Sequence, residues 1–253
     1  MNDSSNTSPW VLRTGQWLFR YRSVTPVPVL LALAWVVWRA QGAPGPGGLD
    51  WDNLLNGVGI GCAFLGQALR FWTLGQVPEG TSGQGAVLEA NVLNRGGPYA
   101  HVRNPLYVGN FGIVLGLMLI AHQPWGYALG LGFFVGEYFF IVRAEENFLR
   151  QRFGAAFETF CREVPRWFPR LSPATREALR PGRFDAKRAI KKEHNPFAAW
   201  ALGALALRAA EQASRGTLSP SSKVTYAALA IGVSALFLGV KAYKHRWLRV
   251  AGG

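Results

Sequence analysis

The sequence predicts an all-α, polytopic transmembrane helical bundle of about five or six spans, with a polar pocket at one end. Three observations predict it. Only 16% of the 253 residues are charged while 49% are hydrophobic, where an ordinary soluble domain carries roughly 25% charge. Apolar runs near span length recur along the chain, each closed by a polar, Gly/Pro-rich or basic segment. The Lys and Arg residues collect in loops and at helix ends, as membrane orientation requires.

That distribution also decides what the net charge of +13 means. A nucleic-acid surface needs its cations on one face or stripe, and these are scattered among segment ends, so no nucleic-acid partner is expected. The two Cys, Cys62 in an apolar run and Cys161 in a basic stretch, make no disulfide framework. No His/Cys/Asp cluster has zinc spacing, so no metal site is expected. Met1 to Pro9 is polar and lacks a charged n-region, so no cleaved signal peptide is expected.

Residues 1–23 mix Arg13, Arg20 and Arg22 with Trp10, Trp17, Phe19 and Tyr21. The mixture suits a helix in the headgroup layer, or a loosely ordered tail. Val24 to Trp38 is the first span, with Pro26 and Pro28 in its opening turn, where a missing N–H costs little. Gln41 to Asp52 is a Gly/Pro loop. Leu54 to Leu74 is the second span. Gly57 and Gly61 stand at the spacing that lets helices approach closely in lipid, with Gly59 and Ala63 beside them. Arg70, near its end, is read as snorkelling to the interface rather than facing a polar cavity.

Gly75 to Arg103 is a long polar connection; a loop this long is usually functional or disordered, and because it leads into the polar motif at Arg103 it is read as functional. Leu106 to Ala121 and Gly126 to Val142 are the third and fourth spans, joined by the turn His122-Gln123-Pro124-Trp125. Gly112/Gly116, Gly126/Gly130 and Gly132/Gly136 predict that these two pack closely as a hairpin. Glu137 is a lone carboxylate in the fourth, a functional candidate by position. Ala144 to Arg170 leaves the membrane as a helix with Leu149, Phe153, Phe157 and Phe160 on one face. Residues 171–194 are basic and read as a solvated face against anionic headgroups. Pro196 to Ala210 and Val224 to Val240 are the last apolar helices, a pair of spans or a re-entrant element.

With six spans and both termini inside, twenty-two Lys and Arg fall in the inside segments and three outside. This bias places one end of the hairpin on the cytoplasmic side. Two polar clusters meet there. The first is Gly97-Pro98-Tyr99-Ala100-His101-Val102-Arg103-Asn104-Pro105-Leu106-Tyr107-Val108-Gly109, and the second is Arg143-Ala144-Glu145-Glu146. Arg103 can fork onto a carboxylate or phosphate. Glu145 and Glu146 can accept from hydroxyls or amines, and Arg166 adds a cation. Cations at one end and carboxylates at the other suit a zwitterionic ligand. No nucleotide-binding glycine fingerprint or nucleophile elbow is present.

These residues carry a resemblance. The stretch from Gly97 to Gly109, then Glu145-Glu146 with Leu149, Phe153-Gly154 and Val164-Pro165-Arg166 with Pro169, resembles the isoprenylcysteine carboxyl methyltransferase and phospholipid methyltransferase superfamily. It covers roughly residues 55–170. Residues 1–54 then form an N-terminal interfacial segment and first span, and residues 171–253 a basic linker and apolar helix pair. Where that family commonly has Arg-His-Pro, this chain has Arg103-Asn104-Pro105, which removes a titrating imidazole from the position.

The resemblance implies S-adenosyl-L-methionine as cofactor and a membrane lipid, lipid-modified cysteine or small apolar molecule as methyl acceptor. It implies an integral protein of a bacterial inner membrane with its site on the cytoplasmic face. Arg103 and Asn104 would hold the methionine carboxylate region, and Tyr107 and Gly109 the cofactor wall. Tyr99 and Pro105 belong to the same binding set. Glu145 and Glu146 would bind cofactor polar groups or orient the acceptor, and Arg166 would close the pocket. Arg103 and Glu146 are the catalytic candidates, Glu146 as the group that takes a proton from an amine. Integral sterol reductases, which use NADPH, have a similar acidic helix start and proline exit. A reductase and an inactive member of the same fold are therefore the competing expectations.

Overall fold

The computed structural model describes residues 7–39, 48–77, 88–170 and 184–250. Residues 41–47 of the predicted Gly/Pro loop Gln41–Asp52, the Gly80, Gly83 and Gly85 stretch of the long connection, and residues 171–183 of the basic linker lie outside the described residues; the rest of that loop, residues 48–52, is helical and opens α3. The described residues form helices and no strand. In order they are α1 (Pro9–Tyr21), α2 (Pro26–Arg39), α3 (Gly48–Gln76), a 3-10 turn (Gly97–Ala100), α4 (Pro105–Ala121), α5 (Pro124–Phe153), α6 (Ala155–Glu163), α7 (Ala186–Ser214) and α8 (Pro220–Val250).

The all-α bundle of the sequence reading is therefore present, with fewer spans. Three helices are long and apolar enough to cross a bilayer: α3, α5 and α8. The pair α1 and α2, bent by 73° at residues 22–25, makes a fourth if taken as one broken span. The sharp bend precedes Pro26, whose ring disfavours a helical residue before it. α4 is apolar but has 17 residues, about 25 Å of helix against a hydrocarbon core of about 30 Å. α7 is not among the three: Lys187, Arg188, Lys191, Lys192 and Glu193 fill its first turns, and its apolar half carries Arg208 and Glu211. Leu31, Leu65, Val135, Val224 and Ile231 each expose more than 60% of their surface, the apolar exterior of an integral membrane protein.

Small residues do set the closest seam, at a different place from the one expected. Gly57 and Gly61 have nothing within 4 Å of an added Cβ, and neither have Gly132 and Gly136. The seam lies between α3 and α4. A Cβ on Gly59 would stand 2.6 Å from the Gly116 carbonyl oxygen, and one on Gly109 2.7 Å from that of Gly66. In the α4–α5 hairpin, Gly130 meets Met118, and Gly126 faces Leu33 of α2 instead. Gly59, Ala63 and Gly66 on α3 and Gly109, Gly112 and Gly116 on α4 form the seam, and Gly57 and Gly61 face away from it.

α1 is an ordered helix lying on α5 rather than a tail. Gly15 packs against the Phe140 carbonyl, and the Trp10 and Phe140 rings are 5.7 Å apart. At the other end of the basic stretch, Asp185 caps α7 by accepting from the Arg188 N–H at 2.9 Å. The helix then runs straight through Pro196, so the boundary expected at that proline is not one. Its basic first half is not a fully solvated face: Ala189, Glu193 and His194 are buried.

Candidate active site

The loop before α4 is built against the segment after α6. Gly154, at φ +51 and ψ −124, occupies a backbone region open almost only to glycine, and it separates α5 from α6. That break turns α6 back, and its exit runs alongside the loop. Arg103 N–H donates to the Pro165 carbonyl at 2.9 Å, and Arg170 N–H donates to the His101 carbonyl at 3.0 Å. The Asn104 amide donates to the Arg166 carbonyl at 3.1 Å. Asn104 is the N-cap of α4 by position, yet its side chain does not cap. It stitches the two motifs together, a task that needs an amide donor and no titrating ring.

The charges meet inside this clasp. Arg166 forks onto Glu146, Nε to Oε1 at 2.8 Å and Nη2 to Oε2 at 2.7 Å. Arg103 Nη1 lies 3.1 Å from Glu146 Oε1 and donates to Cys161 Sγ at 2.7 Å. Both Glu146 oxygens are thus taken by guanidinium groups. Successive helical residues project about 100° apart, so Glu145 faces elsewhere and accepts from the Tyr107 hydroxyl. Burial, with the neighbouring Glu145 charge, pushes the Tyr99 hydroxyl pKa well above its ordinary value against the pull of Arg70. Burial likewise raises the Cys161 thiol, only partly offset by Arg103.

A cavity of about 670 Å³ opens at this clasp. Tyr99, Arg103, Asn104, Tyr107, Glu145 and Glu146 line it, so six of the nine expected site residues share one wall system. The other three stand apart from the lining. Pro105 is fully buried at the start of α4. Gly109 turns to α3, against Gly66 and the Arg70 stem. Arg166 stands behind Glu146. From the charged head the cavity continues between α2, α4 and α5, where Leu30, Val114, Leu117, Met118 and Phe134 line it.

The sequence reading missed the polar floor. Arg70 does not snorkel. It pairs with Glu193, Nη2 to Oε1 at 2.6 Å and Nε to Oε2 at 2.8 Å, both side chains buried. Gln67 donates to the same carboxylate at 2.7 Å and accepts from the Trp200 indole at 2.9 Å. Arg70 also donates to Asn110, which donates to the Tyr138 hydroxyl. One network thereby joins α3, α4, α5 and α7, because a buried guanidinium needs a carboxylate and further acceptors around it. Asn110 and Gln67, amides inside apolar runs, were the signal available. Glu137 also lines the cavity and accepts from the Thr25 hydroxyl in the α1–α2 bend, beside Arg22.

Comparison with known proteins agrees with the geometry. The family model described as phospholipid methyltransferase matches residues 55–156. Over 76 residues the chain is 36% identical to the nickel-cobalt-cadmium resistance protein NccN of Alcaligenes xylosoxydans xylosoxydans, covering 30% of this chain and 35% of that protein. Over 82 residues it is 37% identical to the cobalt-zinc-cadmium resistance protein CzcN of Cupriavidus metallidurans, covering 32% and 38%. The chain thus spans little more than a third of the length of these curated relatives. No solved structure matches it. The matched region holds most of α3, the Arg103 loop, α4 and the Glu145-Glu146 turn of α5, so the elements that line the cavity head lie within the stretch that is similar to phospholipid methyltransferases.

Proposed function

We propose that the protein is a membrane-embedded, S-adenosylmethionine-dependent methyltransferase acting on a lipid, a lipid-modified cysteine or a small apolar acceptor. In this reading the site faces the cytoplasm from a bacterial inner membrane. Residues 55–170 are the catalytic core, and residues 1–54 and 171–253 are additions to it. One observation carries the proposal: a single cavity joins a charged head to an apolar length between helices. A polar cofactor and an apolar acceptor need that combination.

The head fits the amino-acid end of the cofactor. Arg103 offers a cation to a carboxylate, and Glu145 offers an acceptor to an ammonium, within one cavity. When bound, S-adenosylmethionine supplies a methyl group already activated by its sulfonium. The residues of the chain then have to align, exclude water and manage a proton. Arg166 and Glu146 hold Arg103 in place, so Glu146 acts by positioning. Glu145, which accepts from Tyr107 and lines the cavity, is the carboxylate that would take the proton an amine acceptor must lose. Leu30, Val114 and Phe134 keep the acceptor chain out of water. A lipid reaches them sideways from the bilayer.

Calorimetric titration of the purified protein with S-adenosylhomocysteine and with NADPH tests the cofactor. Saturable binding of the first alone is expected, and binding of NADPH alone overturns the proposal in favour of a reductase. Incubation with methyl-labelled S-adenosylmethionine and lipid extract, read by mass spectrometry, then identifies the acceptor. The names of the two relatives favour a second reading at the level of the cell, a part in tolerance of cobalt, nickel, zinc or cadmium. A deletion strain that grows like its parent on those metals overturns that reading.

A further inference from the structure

The far end of the bundle carries a second polar cluster, separate from the cavity head. α4 puts about 25 Å of helix between Asn104, before its first turn, and His122, after its last. Around His122 stand Asp52 from the first turns of α3 and Glu211 from the end of α7. Only 1% of Asp52, 2% of His122 and 5% of Glu211 is exposed. We propose that these three side chains form a binding site for a divalent first-row transition-metal ion.

The geometry is that of a ligand set. His122 Nδ1 lies 3.4 Å from Glu211 Oε1 and 3.7 Å from Asp52 Oδ1. One ligand atom from each residue lies within 4.8 Å of the others. Around an ion with bonds of about 2.0–2.1 Å, tetrahedral ligand atoms stand about 3.3–3.4 Å from one another. The two distances from the ring are close to that edge and too long for good hydrogen bonds. His122 supplies the independent sign of a ligand. It is all but completely buried, and neither ring nitrogen makes a hydrogen bond of normal geometry. A buried imidazole lying 3.4 Å and 3.7 Å from two carboxylates, with no hydrogen bond of good geometry to either, is poorly explained by packing alone.

Two arginines complete the arrangement. Arg215 Nη2 holds Asp52 Oδ2 at 2.5 Å, and Arg208 holds Glu211 Oε2. These contacts leave Asp52 Oδ1 and Glu211 Oε1 turned toward the imidazole, as outer groups orient metal ligands elsewhere. Arg215 Nη1 also lies 3.0 Å from Glu211 Oε1. It therefore competes with an ion for that oxygen. An imidazole with two carboxylates suits zinc, cobalt or nickel better than the hard, all-oxygen preference of calcium or magnesium. The bound ion would tie α3, the α4–α5 turn and α7 together, independently of methyl transfer.

Cobalt(II) chloride is the probe, added to the full-length protein in detergent and followed by visible ligand-field absorption. One equivalent is expected to bind saturably, and the unfolding temperature should rise with cobalt concentration. His122→Asn keeps a residue type that tolerates the left-handed backbone at this position (φ 53) and removes the imidazole. It should abolish the absorption while leaving helicity unchanged. Glu211→Gln removes a carboxylate ligand and should weaken cobalt binding by about tenfold or more. The opposite outcomes overturn the site: no saturable cobalt binding by the wild type, or binding unchanged in His122→Asn or in Glu211→Gln. If His122→Asn does not fold, the wild-type titration and Glu211→Gln still decide.

Discussion

The adjacent carboxylates Glu145 and Glu146 are chemically identical and structurally opposite. Glu146 is forked by Arg166 and touched by Arg103, and Glu145 meets the cavity and Tyr107. Their substitutions should therefore fail in different ways. Glu146→Gln removes the charge that two guanidinium groups share. It should cost about 2 kcal/mol, less than the roughly 3–5 kcal/mol of breaking a fully buried pair, because Arg166 is 39% exposed. Its unfolding temperature should fall and cofactor binding should weaken with it. Glu145→Gln should unfold like the wild type and lower the rate of methyl transfer by about tenfold or more. Thermal unfolding and a labelled-methyl assay on both variants check this; equal unfolding temperatures and equal rates would remove the division of roles. Doublets of this kind are legible in a sequence as candidates. Which member faces a ligand depends on the direction of a helix face that only the packed structure specifies.

Between elements, glycine seams and a buried ion pair hold the bundle. Leu at Gly66 would drive a side chain into the α4 backbone at Gly109, and the same change at Gly61 would meet nothing. Gly66→Leu should lower stability by about 1–3 kcal/mol or more, and Gly61→Leu should be neutral, as read by detergent unfolding curves. A clear loss from Gly61→Leu would place the seam where the spacing alone suggested. The network around Arg70 makes a second prediction. Breaking it singly, as Arg70→Met or Glu193→Leu, leaves one buried charge and should cost about 3–5 kcal/mol. The double variant should recover most of that loss, a coupling that a double-mutant cycle measures. Additive losses would show that the pair is not a unit. The ion pair was hidden from sequence reading because Arg70 and Glu193 lie in different helices, and the basic residues around Glu193 made that stretch look solvated.

At the scale of the whole molecule, the cavity runs from a charged end into the apolar middle of the bundle. A bulky residue placed along its length should act on long acceptors more than on the cofactor. Val114→Trp is expected to leave S-adenosylhomocysteine affinity within about twofold and to raise KM for a long-chain acceptor by about tenfold or more. Equal losses for the cofactor and acceptor would mean that the apolar length is not the acceptor channel. The far end of the same bundle holds Asp52, His122 and Glu211, drawn from α3, the α4–α5 turn and α7 and far apart in the chain. No spacing rule reaches such a cluster, and none was expected from the sequence.

Composition and order along the chain were enough to establish a helical membrane protein, to bring Arg103, Glu145-Glu146 and Arg166 into one motif set, and to suggest its family. Those properties are local: hydropathy, turn residues and motif spacing are written in consecutive residues. The tertiary structure decided which glycines form the seam, that Arg70 is paired rather than snorkelling, that Glu146 is clasped while Glu145 meets the cavity, and that Asp52 and Glu211 converge on His122. Each of these depends on which faces of separate helices meet. That is settled by packing and charge pairing across the bundle, over distances in sequence that no local pattern encodes.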